Sequence, residues 1–347
     1  MFGALLMMSS GLMIAGGKLV LSRYSSSIKG GDLINPEARS DNHGRVRPDK
    51  PVNILLLGID ARVNNGEPIR ADSIIVLHIP KEHDRAYLVS VPRDLIVEIP
   101  ANPPVKRLPS HERINAAFAD GSKDGRDLDA GFRLLSTTLY RLIGVKFDAG
   151  AIIDFEGFKA VVEALGGVTM CVDQRVESIH VGYDKNGKPR GKQPGDKPVV
   201  YEPGCYHMAP WQALDYVRQR HTNEGDYARQ RHQQQFLKAI FREAASKGMI
   251  SDPKKLDSVV LAAGQALKLD DGGVSIGEWL WAMKSIREGD IVMLKTAGHG
   301  LFTNIYDINT YKGEELEPAG RELFDALRDN KVDQFMLAHP ELVNRDG

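Results

Sequence analysis

Cysteine is almost missing from this chain: two residues in 347, Cys171 and Cys205, with no Cys-x-x-Cys pair. That leaves no paired thiolates on which to build a zinc site. Net charge is nearly missing too, at -1 with 26% of residues charged. There is no overall basic footprint of the kind nucleic acid demands, although a local cationic pocket remains compatible with such a balance. Internal repeats are not evident, and no basic residue precedes position 18.

That last absence frames the N-terminus. Residues 2–17 are uncharged and mostly apolar, and Leu19, Val20 and Leu21 continue the run past Lys18. With Lys18 snorkelling, residues 2–22 come close to the roughly 20 residues that cross a bilayer. Without a basic n-region or a small-x-small site before Arg23, a single-pass transmembrane helix fits better than a cleaved signal peptide. Lys18, Arg23 and Lys29 all follow the run. Taken alone, the positive-inside rule would keep the C-terminal bulk in the cytoplasm; a basic leader upstream of residue 1 would reverse this and is expected here. Residues 23–50 are rich in Ser, Gly, Asn, Asp and Pro and read as a flexible linker. Residues 51–347 then hold ample material for one domain.

Within it, residues 52–57, 73–79 and 86–91 are short apolar runs that read as strands. Each ends beside charge: Asp60 after the first, Arg70 and Asp72 before the second, Arg93 and Asp94 after Pro92 on the third. One Asp or Arg at a strand end is ordinarily a turn former, but recurrence at three strand ends points to a site, because loops at sheet ends are where sites are built. Asp60 and Asp72 supply the hard oxygen ligands magnesium needs, and Arg70 and Arg93 supply charge for phosphates.

Helical spacing marks 131–143, closed by Gly144, and 155–165, with strands at 147–155 and 168–172 around the second. Residues 100–109 read as irregular. Asn115 reads as a turn or capping residue, or as a polar member of the site. Residues 183–197 are too polar to pack and read as a solvated loop or lid. Cys171 and Cys205 stand thirty-four positions apart. They are either two reduced core thiols or, as suits an anchored chain in an oxidising compartment, a disulfide contributing on the order of 3 to 4 kcal/mol. Helices are expected over 210–217, 229–247, 257–269, 275–286 and 320–327, a strand over 291–296, and a turn at His299.

The densest chemistry lies at 218–234. If Asp226 opens a helix after Gly225, then Asp226, Arg229 and Gln233 fall three and four residues apart and share one face. Arg218 and Arg220, one residue apart, point the same way in an extended segment. Several arginines with one carboxylate and one amide suit a phosphate or pyrophosphate, since guanidinium forks match phosphoryl oxygens and stay charged. A solvated helix start has a similar composition, and the three strand ends decide between the two readings.

Taken as an ordered set, Asn53-Ile-Leu-Leu-Leu-Gly-Ile-Asp60, Arg70-Ala-Asp-Ser73, Ser90-Val-Pro-Arg-Asp94, Arg218-x-Arg220 and Gly225-Asp-Tyr-Ala-Arg-Gln-x-x-Gln233 resemble the LytR-CpsA-Psr family over residues 52–245. The wording Leu214-Asp-Tyr-Val-Arg-Gln-Arg220 is similar to actinobacterial members. The resemblance implies one α/β domain, α-β-α with a mixed central sheet flanked by helices, anchored at the cell membrane with its catalytic part extracytoplasmic. It implies a phosphotransferase that takes a polyprenyl-pyrophosphate-linked glycan, with the lipid in an apolar cavity, and passes the glycosyl phosphate to a sugar hydroxyl of peptidoglycan or a linked wall polymer. By position, Asp60 and Asp72 match magnesium (or manganese) carboxylates. Arg70, Arg93, Arg218, Arg220 and Arg229 match pyrophosphate-contacting arginines, and Asp226 and Gln233 match polar residues that hold them. Arg93, Arg218, Arg220, Asp226 and Arg229 form the catalytic set. His232 departs from the basic or amide residue many relatives keep beside Gln233. Two alternatives stand beside transfer: hydrolysis of the pyrophosphate, or a regulatory protein of the transcriptional attenuator kind, for which the chain offers no helix-turn-helix.

Overall fold

The structure is a computed structural model that describes residues 32–344 apart from 43, 62–67, 221–223, 250, 251, 253, 254, 256–258, 260, 263, 275 and 305. The anchor expected over 2–22 lies outside the described residues, among which no helix is long and apolar enough to cross a membrane.

The centre is a seven-stranded mixed sheet in the order β12-β6-β1-β2-β3-β13-β16. Its members are β1 Val52–Ile59, β2 Ala71–Ile79, β3 Ala86–Ser90, β6 Ala149–Ile153, β12 Leu267–Asp270, β13 Ile291–Lys295 and β16 Val343–Asn344. β1 runs antiparallel to β2 and parallel to β6, and β3 runs parallel to β13. Alternation along the strands sends successive side chains to opposite faces. Leu55, Leu57, Ile59, Ile74, Val76 and Val89 pack into one core with α1 (Ile114–Ser122), α2 (Leu128–Ile143) and α7 (Pro318–Arg328). The other face carries α3 (Phe155–Ala164), α4 (Pro210–Val217), α5 (Asp226–Ser246) and α6 (Ile276–Met283). The mixed sheet with helices on both faces is the architecture expected from the sequence.

Local chemistry sets the ends of these elements. The Asp154 carboxylate accepts from the backbone N–H groups of Glu156 and Gly157, opening α3. Gly144 closes α2 at φ 70°.

Several expectations are corrected. The linker expected over 23–50 is pinned to the domain at three points: Leu33, Ile34 and Ala38 are fully buried, while residues 47–50 are exposed. The backbone N–H groups of Leu33 and Ile34 donate to the Asp270 carboxylate at 2.9 and 3.1 Å. Low periodicity had hidden a segment that packs without regular structure. Residues 183–197 are solvated as expected, but they are two turns around a short strand rather than one loop: β9 (Pro189–Gly191) pairs with β8 (Val176–Tyr183), which also pairs with β10 (Lys197–Tyr201), in one ribbon held through backbone groups that composition does not reveal. Of the helix expected over 257–269, residues 259, 261 and 262 are helical, but the second half differs: a 3-10 turn at Gly264–Ala266 leads into β12, which completes the sheet edge beside β6. Two further hairpins are β4 (Ile96–Ile99) with β5 (Ser110–Arg113), and β14 (Gly298–Phe302) with β15 (Tyr311–Leu316). His299 therefore sits in a strand rather than a turn. Helix α8 spans Val332–Ala338.

Cys171 on β7 (Val168–Val172) faces Cys205 on β11 (Gly204–Met208) in register, and the two form a disulfide. The oxidised alternative therefore holds, and the ribbon is held between its half-cystines.

Candidate active site

The site begins at a defect in the sheet. Gly58 pairs with Ser73 and Ile59 pairs with Ala71, so Asp72 is the extra residue of a bulge. A bulge leaves one residue out of the ladder and re-aims its side chain. A Cβ on Gly58 would lie 3.0 Å from that of Ser73, so any larger residue would push the two strands slightly apart there. Asp60 follows directly at the end of β1.

The helix α5 supplies the second half. Gly225 at φ 56° delivers Asp226 into the first turn. The register is fixed from behind, where the fully buried Gln234 amide donates to the carbonyls of Leu88 and Leu294 at 2.9 and 2.8 Å. Asp226, Arg229 and Gln233 therefore share the face expected of them. Arg218 and Arg220 reach the same place by another route: Arg218 caps the end of α4 in helical geometry and stacks 4.4 Å over the Phe155 ring. Between them Gln219 is buried, its amide donating to Asp215. The chain is not extended at Arg218, and the buried Gln219 separates two arginines that line one cavity.

Three guanidiniums then surround Asp72 and Asp226, with a third carboxylate, Asp94, 3.9 Å from Arg93 towards a neighbouring groove. Arg229 meets Asp226 at 2.9 Å, Arg220 lies 3.7 Å from Asp72 and 3.8 Å from Asp226, and Arg93 binds Asp72 and lies 3.8 Å from Asp226. Burial lowers Arg220, the neighbouring charges of Arg229 and Arg93 lower it further, and it falls to about 10 despite the two carboxylates. Burial raises Asp226, but Arg229 and Arg93 outweigh this and hold it below the usual carboxylate range. The buried Nε atoms of Arg93 and Arg229 have no hydrogen-bond partner among the described residues. Buried orphan donors beside surplus positive charge fit an anion.

Behind this belt lies a cavity of about 470 Å³. Asp60, Asp72, Arg218, Arg220, Arg229 and Gln233 line its polar part, while Leu56, Ile75, Ala151, Phe158, Leu214 and Phe236 represent its apolar wall. Along β1 every second residue, Ile54, Leu56 and Gly58, stays partly exposed on this face, whereas Leu55, Leu57 and Ile59 are sealed in the opposite core. Apolar side chains at the centre of a sheet are thus held open to an internal space.

Arg70 is not on this cavity. Its Nη1 donates to Asn115 at 3.2 Å, and it lines a neighbouring polar groove together with Arg93, Asp94, His111 and Arg113. Arg93 lines this groove and binds Asp72, which lines the cavity. Of the two readings of Asn115, the structure shows it in the first turn of α1, buried and lining this groove. Asp94, one of the strand-end charges, lies 3.5 Å from Asn115 and from Arg113. Glu314, from β15, was invisible in the sequence. It accepts from Tyr227 at 2.9 Å, and burial raises its carboxyl, with the charge of Asp226 adding to the rise. His232, the residue out of pattern, is fully buried, stacked on Tyr216 at 4.3 Å with Asp173 3.4 Å away, and faces away from the belt.

Asp60 and Asp72 are the candidate metal carboxylates, and among the described residues no group of three or more His, Cys, Asp or Glu is placed to hold an ion.

A model described as the LytR_cpsA_psr family matches residues 19–322. The chain is 27% identical over 242 residues to the polyisoprenyl-teichoic acid–peptidoglycan teichoic acid transferase TagU of Bacillus cereus, a match covering 68% of each chain. It is 26% identical over 251 residues to the cell wall biosynthesis protein LcpA of Corynebacterium glutamicum, covering 69% of this chain and 44% of that one. The crystal structure of Bacillus subtilis TagV shares the fold, with a TM-score of 0.59 and 24% identity over 82% of this chain and 98% of that one.

Proposed function

The chain belongs to the LytR-CpsA-Psr family, and from that premise we propose that it is a membrane-anchored, extracytoplasmic phosphotransferase that moves a glycan from a polyprenyl pyrophosphate to a hydroxyl of peptidoglycan or a linked wall polymer. The observation that carries this reading is the junction of an apolar cavity with a belt of surplus arginine charge. A lipid tail and a diphosphate demand those two environments side by side.

In the reaction, the acceptor hydroxyl oxygen attacks the phosphorus that bears the glycan. The bond from that phosphorus to the bridging oxygen breaks, polyprenyl phosphate leaves with the electron pair, and the hydroxyl proton passes to solvent. Little covalent chemistry falls to the protein, so positioning and charge neutralisation dominate. Arg93, Arg220 and Arg229 hold the diphosphate oxygens, with Arg218 and Gln233 along the same wall. Asp226 keeps the guanidiniums aimed. Arg70, on the groove side, meets the phosphate that bears the glycan.

Asp60 and Asp72 suit magnesium or manganese, because magnesium takes one or two protein carboxylates when phosphates and waters complete its shell. When bound, the ion would add charge neutralisation at the phosphates. TagU of Bacillus cereus, by its name, takes polyisoprenyl-linked teichoic acid to peptidoglycan, and the cavity here supports the polyprenyl half of that description.

The test is a transfer assay with purified full chain, a lipid-linked glycan donor and a wall-polymer acceptor. Arg218→Ala and Arg220→Ala should each lose transfer by roughly a hundredfold or more while retaining a cooperative melt. Full activity in either variant would overturn the assignment.

A further inference from the structure

The ribbon of β8, β9 and β10 plays no part in the chemistry above, yet it is well built. Ser178 at its base donates to Asp215 at 2.8 Å, and the backbone N–H of Val181 donates back to the Ser178 hydroxyl at 2.9 Å. Its far turn is closed by Asp184, which accepts from the N–H groups of Asn186 and Lys188 at 2.8 and 2.9 Å. The disulfide lies just beyond its two ends in the chain. A segment so constrained is a fixed projection rather than a lid.

Its surface has two properties. Between residues 183 and 197 five cations, Lys185, Lys188, Arg190, Lys192 and Lys197, face two carboxylates, Asp184 and Asp196, a surplus of three in a chain whose net charge is -1. All five cations are exposed. Large apolar side chains are exposed on the same ribbon: Ile179 at 41% and Tyr183 at 36%, with Val200 at 38% nearer its base, across from Glu177. Register places Tyr183 directly across from Lys197, a tyrosine and a cation side by side as at a membrane interface. Ile179 and the next residue, His180, also line the apolar cavity, so the ribbon borders the space assigned to the lipid.

We infer that this ribbon is a docking surface for an anionic bilayer, seating the domain so that the prenyl tail of the donor enters the cavity past Ile179. The inference rests on the proposed lipid-linked donor and adds where that lipid comes from. Exposed lysines near an anionic leaflet each contribute about a fivefold change in association, falling off within a Debye length. Exposed Ile179, Tyr183 and Val200 supply apolar contact at headgroup depth. An anionic wall polymer would answer the charge but not the exposed apolar side chains.

The experiment uses the full chain reconstituted in vesicles, either neutral or containing anionic lipid. In the first arm, Tyr183→Trp is compared with wild type in bilayers of brominated lipid, and the added tryptophan should be quenched beyond the wild-type level. In the second, Lys185→Gln/Lys188→Gln/Lys197→Gln should raise the donor KM about tenfold on anionic vesicles with kcat unchanged, and should match wild type on neutral vesicles and in detergent. Absence of quenching, or equal KM values on anionic vesicles, overturns the docking surface while detergent activity leaves the transferase reading intact. Loss of binding to soluble polyphosphate in the triple variant, with no quenching of Tyr183→Trp, would assign the ribbon to a polymer and likewise overturn it. Should no transfer occur in detergent, the transferase reading fails, and the quenching arm still decides the docking.

Discussion

Arg220 bears the electrostatic cost of the site. Its guanidinium is depressed to about 10 by burial and by Arg229 and Arg93, so the folded protein binds that proton less tightly than the unfolded chain does. A cation shifted in that direction destabilises the fold at every pH below about 10, and the cost is relieved only as the pH climbs from there towards the ordinary arginine range. Around neutrality it is therefore a constant strain that a bound anion would remove. Arg220→Gln should melt at the wild-type temperature or up to about 2 °C above it, and it should lose transfer. Inorganic pyrophosphate should raise the wild-type Tm and raise that of the variant less. Thermal melts at pH 7 with and without pyrophosphate decide the matter, and a variant melting several degrees low would make Arg220 a structural strut. The residue was legible in the sequence from its spacing with Arg218. Its strain was not, because that arises from Arg93 and Arg229, brought up by a strand and a helix distant in the chain.

At the level of elements, the bulge that frees Asp72 depends on β1 and β2 keeping their register, and a buried polar pair marks that register. His78 on β2 stands opposite Asn53 on β1, with Nδ1 2.7 Å from the Asn53 Oδ1. Burial pushes His78 down to about 4. The unfolded chain, near 6.5, takes the proton first, so the full stability is present above pH 6.5 and is lost as the pH falls through 4. Denaturant titrations at pH 7.5 and 4.5 should show wild type losing about 2–3 kcal/mol more across that window than His78→Gln. Equal losses would clear His78 of the acid sensitivity. Strands β1, β2 and β3 and the helices α2 and α3 could be read from the sequence because each carries an uninterrupted apolar period. The pairs β4–β5 and β14–β15 could not. Their strands run four to six residues, are rich in glycine or charge, and take their pairing from long-range contacts that no local period encodes.

The molecule as a whole is asymmetric about its sheet. One face is sealed by α1, α2 and α7. The other is held off by α3, α4 and α5, leaving Leu56 partly exposed to the cavity. Apolar area left unburied forgoes about 25 cal/mol per Å², stability that a close-packed interior would retain. The sequence could not show this space, since a void is set by distances between elements rather than by the residues of any one of them; it showed only apolar helices able to line one. Ala151 lies in the wall, paired in register with Leu56 and so inward of the Asp60 end of β1. Added methylenes there would fill space instead of crowding a packed core. Ala151→Leu should therefore keep its Tm or gain about 1–3 °C. It should also lose roughly tenfold in kcat/KM, about 1.4 kcal/mol, on a long polyprenyl donor. A donor whose short prenyl chain stops before Ala151 should keep its wild-type value, because the arginine belt that grips its diphosphate is untouched. Equal loss on both donors would place the damage at the belt, and no loss on either would mean the lipid lies elsewhere.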